Sequence, residues 1–172
     1  MAPSDDIVGD DIFTPDTAVP APGGGFVVCD FDSIVVAIPQ SDVVAIEHGG
    51  ELAASLPGES ALGWYACAHG PWPVYALNAA LRLTQNLSSP RSFVVFLKSD
   101  PWPRGLLVSS VRIVGKKSDL PLQPLPQPLQ AYSPGINGVA RMENKRILYA
   151  FNPAALVGLL TDEHSEREVR YG

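Results

Sequence analysis

What most constrains this chain is a series of short apolar runs, each about strand length and each closed by Gly, Pro, Asp or Ser. From Phe26 onward the sequence reads FVVCDF, SIVVAIP, VVAIE, GWYACA, WPVYAL, SFVVFLK, GLLVSSVRIV, GINGVARM and RILYAFN. β-Branched and aromatic residues dominate these runs, because such side chains suit a pleated, packed surface. No middle segment is both long and periodic enough for a major helix. Evenly spaced strands without intervening helices predict an all-β barrel or sandwich rather than alternating strand and helix units.

The flanks and connections read differently. Residues 1–25 hold four prolines, five aspartates and Gly23-Gly24-Gly25 with no sustained period, and are expected to form a disordered acidic arm. Residues 161–172 read as a flexible tail. Two short helices are expected where apolar runs turn rich in Ala and Leu. The first covers Ala76 to Leu83; the second opens with Asn152 as cap and Pro153 at the first helical position. Glu143-Asn144-Lys145 reads as a hairpin tip. Residues 120–134 contain five prolines and read as a connecting loop over the barrel surface, in preference to a polyproline ligand.

The net charge of −6 hides a polarised distribution. Residues 1–81 carry eleven acids and no Lys or Arg, whereas residues 82–160 carry ten bases and three acids. If each half builds one sub-structure, the two are oppositely charged and attract each other or charged partners. Cys29 and Cys67 are the only cysteines, too few for a disulfide framework, and are expected to be reduced, buried thiols of a cytoplasmic protein. MAPSDDIVGDD lacks the basic start and apolar run of a signal peptide. The 22 uncharged residues between Glu59 and Arg82 centre on His69-Gly70-Pro71-Trp72-Pro73, which would break a spanning helix, so no direct membrane insertion is expected.

Chemistry is hard to find. Gly58-Glu59-Ser60-Ala61-Leu62-Gly63 places its second glycine one residue too late for a nucleophile elbow, and no apolar β-run feeds it. Cys67 and His69 share a strand face and could share a cation, but no second ligand pair follows at a metal-binding spacing. A small-ligand or metal-binding β-barrel centred on that pair is the alternative reading. Gly23-Gly24-Gly25 precedes a strand rather than linking strand to helix, so it cradles no phosphate. The basic residues, Arg82, Arg91, Lys98 and Arg104 among them, are scattered over several segments, and the acidic arm would compete with a nucleic-acid backbone. No catalytic residue, cofactor, metal or nucleic acid is therefore assigned, and the expectation is a binding or scaffolding module.

Taken in order, the runs resemble the CheW-like chemotaxis coupling-protein family over about residues 26–160. Ala37-Ile38-Pro39 followed by Val43 and Ile46 is similar to the family's opening landmark. Leu56-Pro57-Gly58, Gly63, His69-Gly70 and Pro73-Val74-Tyr75-Ala76-Leu77 are similar to its next group. Gly105-Leu106-Leu107-Val108-Ser109-Ser110-Val111 and Gly138-Val139-Ala140 complete the match. The chain departs from the family where His69 stands for the usual Arg, Ala45 for Glu, and Ala76, Ser109 and Asn152 for Asp.

This resemblance implies two small five-stranded SH3-like β-barrels packed together, with short helices. One barrel is expected at about 34–90 and the other at about 91–160, with strand 26–33 crossing into the second. It implies a non-catalytic adaptor in a bacterial chemosensory or pilus-motility pathway. Its partners would be the histidine kinase regulatory domain, the cytoplasmic tip of a chemoreceptor, and other CheW-like proteins. Val36, Ile38, Val43, Ile46 and His69 are the candidate contacts; for each apolar one, burial in a barrel core is the competing reading.

Overall fold

The computed structural model describes residues 24–50, 52–54, 60–67, 70–116, 119–130 and 135–160. Its strands are β1 (Phe26–Phe31), β2 (Ile34–Pro39), β3 (Val43–His48), β4 (Ala53–Ala54), β5 (Gly63–Cys67) and β6 (Gly70–Tyr75). They continue as β7 (Phe93–Leu97), β8 (Arg104–Val108), β9 (Ser110–Val114), β10 (Ile136–Arg141) and β11 (Ile147–Phe151). Two short helices, α1 (Gln127–Gln130) and α2 (Pro153–Leu159), complete it. Nearly every apolar run is a strand; GLLVSSVRIV is two, broken at Ser109.

The strands form a five-stranded sheet, β9-β1-β2-β11-β10, and a six-stranded sheet, β3-β7-β8-β6-β5-β4. The all-β fold of two packed units is thus as expected, but the division falls elsewhere than residue 90. Strands β7 and β8 join the sheet of β3–β6, and β2 accompanies β1 into the other. The chain changes sheets at the short 3-10 turn Gln40–Asp42 and again across Ser109. Such crossings leave little trace in a sequence, because the runs on either side are equally apolar. The charge polarity dissolves with the boundary. Segment 42–108 carries five acids and four bases, while 26–41 with 109–160 carries four acids and six bases.

Three apolar cores result from the period of two along each strand. Val27, Cys29, Phe31, Val36 and Ile38 from the first sheet meet Val95, Leu97, Leu106 and Val108 from the second in the central core, sealed by Leu156 of α2 and Leu160 just after it. The opposite faces of the same strands fill separate cores. Phe26, Val28, Val35, Ala37, Leu148 and Ala150 pack within the five-stranded unit. Val74, Val94, Phe96 and Leu107 pack within the six-stranded one. Burial on both faces explains why these strands read as continuous rather than alternating apolar runs.

Local expectations fare unevenly. Asn152 caps α2, its Oδ1 accepting from the amides of Ala154 (2.9 Å) and Ala155 (3.4 Å), with Pro153 at the helix start. The Glu143–Lys145 tip is a tight turn in which the Lys145 amide donates to the Met142 carbonyl and Lys145 adopts φ 66°. The helix expected over Ala76–Leu83 is instead a turn. Asn78 Oδ1 accepts from the amides of Ala80 and Arg82, Leu81 takes φ 60°, and Leu77 bridges Leu83. An Asn side chain that bonds its own following backbone outcompetes so short a helix. Of the proline-rich segment, the described part covers the first sheet: Leu120 and Leu125 are buried, and Gln123 exchanges hydrogen bonds with Val139 at 2.8 Å.

Candidate partner-binding surface

The site residues expected from the sequence divide into two groups. Val36, Ile38, Val43 and Ile46 are between 0 and 4% exposed and belong to the central core. Their side chains offer a partner nothing in the folded chain, so the contact role expected of them is corrected to a packing role. His69 lies outside the described residues, as does the side chain of Cys67, and with them the candidate cation site.

The β3 strand shows why Val43 and Ile46 go inward together. In a regular strand, residues three apart face opposite sides. Here the pairing with β7 slips: Val43 sits opposite Leu97 but Ala45 opposite Phe96, leaving Val44 as the extra residue of a β-bulge. The insertion reverses the alternation, bringing Ile46, opposite Val95, back to the face of Val43. Val44 is turned outward and is 36% exposed, on a strand at the edge of its sheet. Glu47 accepts a 2.8 Å hydrogen bond from the Tyr65 hydroxyl, and the His48 ring lies 5.1 Å from that of Phe93. The exposed surface of β3 is thus an apolar residue flanked by polar ones.

One charged cluster ties the two sheets together, and a second lies within the five-stranded unit. Arg91 Nη1 donates to the Leu107 carbonyl at 3.2 Å, and Nη2 to the Leu77 carbonyl at 2.8 Å and to Asp32 Oδ2 at 3.3 Å. Its guanidinium carbon also lies 5.1 Å from the centre of the Phe31 ring, within cation–π reach. Asp32 takes a second bond from Ser88 Oγ at 2.7 Å. Nearby, Asp30 accepts from Ser110 Oγ (2.7 Å) and from Arg146 Nη1 (3.4 Å), tying β1 to both flanking regions. Sequence reading placed Arg91 among scattered solvated charges. Its only sequence trace is its position just ahead of a wholly apolar strand.

Among the described residues, the sequence's candidates for chemistry are placed as follows. Ser60 lies in a bend that leads into β5, not into a helix. Burial pushes the Cys29 thiol up from 9.0 to about 12, with the Asp30 charge adding to the effect, so it is not a nucleophile. Among the described residues no three His, Cys, Asp or Glu side chains converge as metal ligands, and no helix is long and apolar enough to cross a membrane.

The five-stranded sheet does not close: among the described residues no ladder joins β9 to β10. A cavity of about 580 Å³ occupies this seam, bordered by Arg112 and Val114 of β9, Ala140 and Arg141 of β10, and Leu120 of the covering loop.

This architecture has known counterparts. The crystal structure of the scaffolding protein TtCheW from Thermoanaerobacter tengcongensis is similar with a TM-score of 0.57 and 16% identity, over 75% of this chain and 88% of that one. A comparison with curated protein sequences gave no match. The family model of the CheW-like domain matches residues 25–160, a span that contains both sheets and all three cores, and the chain therefore belongs to the CheW-like domain family.

Proposed function

We propose that this chain is a non-catalytic adaptor of a bacterial chemosensory pathway, acting in the cytoplasm to couple receptors to a histidine kinase through protein–protein contacts. The observation that carries this reading is the CheW-like domain spanning residues 25–160. The packing supports it. Strands whose two faces are both buried leave strand edges and bulges as the surfaces for recognition, and edges bind by strand addition or by accepting side chains in shallow grooves. Val44, at the bulge of edge strand β3, takes the contact role that Val43 and Ile46 cannot. His69-Gly70, at the place of the family's Arg-Gly, remains a proposed contact. A histidine there supplies a titratable donor in place of a permanent, bidentate one.

The test is reconstitution with a histidine kinase regulatory domain and a chemoreceptor tip from the same organism. Co-sedimentation or pull-down of both supports the adaptor role, and recovery of neither removes it. Replacing His69 with Ala is expected to weaken at least one of the two without lowering the thermal midpoint; unchanged binding strikes it from the contact surface.

A further inference from the structure

The seam between β9 and β10 lies where the chain enters the fold. Phe26 pairs with Val114, and Gly25 packs so closely on the Val114 carbonyl that any Cβ there would overlap it. Val114 also lines the seam cavity. Gly24, the first described residue, therefore stands at the strand that pairs with Val114, and residues 1–23 precede it in the sequence.

Their sequence is complementary to it. The segment holds Asp5-Asp6-Ile7-Val8 and Asp10-Asp11-Ile12-Phe13, two copies of an acid-acid-apolar-apolar motif, and no Lys or Arg. The cavity lining carries two arginines and two acids around apolar side chains. Arg112 and Arg141, both exposed, stand on its two strands, while Val114, Leu120 and Ala140 provide an apolar floor. Asp119 and Glu143 also line it, so a purely acidic ligand would meet repulsion as well as attraction. A ligand that places carboxylates on the arginines and buries an apolar pair on the floor satisfies both. Lys116 and Lys145, close in sequence to the lining residues Val114 and Asn144, are exposed.

We propose that the segment 5–13 docks in cis on the β9–β10 seam, occupying it as a tethered acidic-apolar ligand. Ten residues lie between Phe13 and Gly24, a reach of up to about 35 Å, so either copy of the motif can arrive. A tether of this length supplies an effective concentration of about a millimolar, so even a weak contact is populated. Docking covers the β9 edge and the part of the β10 edge that lies beyond the Val139–Gln123 bridge. An outside ligand for that seam must displace the arm, and the displacement becomes easier as salt screens the Asp–Arg attraction.

The experiment is amide hydrogen exchange on the full-length chain, comparing the wild type with a variant carrying Asp→Asn at 5, 6, 10 and 11. None of the four is among the residues that build the two described sheets and their three cores. Amides of 112–116 and 138–144 are expected to exchange about tenfold faster in the variant at low salt, with the central strands β7 and β8 unchanged. The difference is expected to vanish near about 0.5 M salt. A second variant, R112E/R141E, should lose the same protection, and reversing the four aspartates to Lys in that background should restore it. Equal exchange in wild type and arm variant overturns the proposal. Protection that grows with protein concentration overturns it in favour of docking on a second copy.

Discussion

Arg91 reaches from the six-stranded sheet to Asp32 in the turn between β1 and β2, with Nη2 3.3 Å from Oδ2; its side chain is 1% exposed and that of Asp32 17%. The same guanidinium is bound by the carbonyls of Leu77 and Leu107, so one side chain joins the ends of β6 and β8 to the first hairpin of the other sheet. Its Nε is buried without a partner. The arrangement therefore depends on the remaining bonds being kept.

Removing either charge is expected to be damaging for different reasons. Arg91→Ala leaves two carbonyls and a partly buried carboxylate without their donor, and should lower unfolding free energy by about 3 kcal/mol. Asp32 has φ 54°, a conformation that Asn tolerates, so Asp32→Asn removes the charge without straining the backbone. It should lower stability by about 1–3 kcal/mol, and the double variant by less than the sum of the two. Urea unfolding of the four proteins measures this. Additive losses would show that the pair is not coupled.

Cys29 gives a pH dependence of defined sign. Its thiol is held at about 12 by burial against 9.0 when accessible, so between those values the unfolded chain releases a proton that the folded chain keeps. The unfolded state then binds fewer protons, and stability falls as pH rises, by about 1.4 kcal/mol per unit above 9. Cys29→Val removes this contribution while remaining an apolar core residue. The difference in unfolding free energy between wild type and variant, followed from pH 7 upward, is expected to be flat to about pH 8.5 and then to decline. A constant difference up to pH 10.5 would mean that the thiol ionises in the folded chain as readily as outside it.

The contrast between Val44 and Ile46 separates surface from core on one strand. Ile46→Ala empties space in the central core and should cost about 2–5 kcal/mol. Val44→Asp sits on the outward side of the bulge and should change stability by no more than about 0.5 kcal/mol while weakening the partner capture proposed for this edge. Thermal unfolding and a pull-down run on both variants test the assignment. A destabilised Val44→Asp would place that side chain in the packing instead.

Strand positions and the Asn152 cap were legible because each rests on local chemistry: β-branched runs between turn residues, and a side chain that bonds the next two amides. Sheet membership was not. Whether β7 pairs beside β3 or beside β11 depends on contacts made far along the chain, and Phe93–Leu97 would suit either sheet. The bulge at Val44 was equally hidden, since Val-Val-Ala-Ile carries no glycine or other mark of a break in alternation. Arg91 failed for a related reason: a lone cation reads as solvated until the fold brings two carbonyls and a carboxylate around it.

Gly105 shows how one small residue sets an aromatic cluster. It lies opposite Phe96 across the β7–β8 ladder, and a Cβ there would stand 2.6 Å from Val94 Cγ1 and 2.8 Å from Phe96 Cε1. The Phe96 ring cannot easily retreat, since the Trp72 ring meets it edge-on at 5.1 Å and the Tyr65 ring lies tilted at 5.6 Å. Gly105→Ala should therefore overpack this core and lower stability by about 1–3 kcal/mol, against the small gain that replacing a strand glycine otherwise gives. Phe96→Leu alone should also destabilise, by removing ring contacts. Combined with Gly105→Ala it should recover part of the loss, because the smaller side chain vacates the space the new methyl needs. A double-mutant cycle by urea unfolding reads the coupling directly, and additive effects would show that the new methyl is accommodated without the ring.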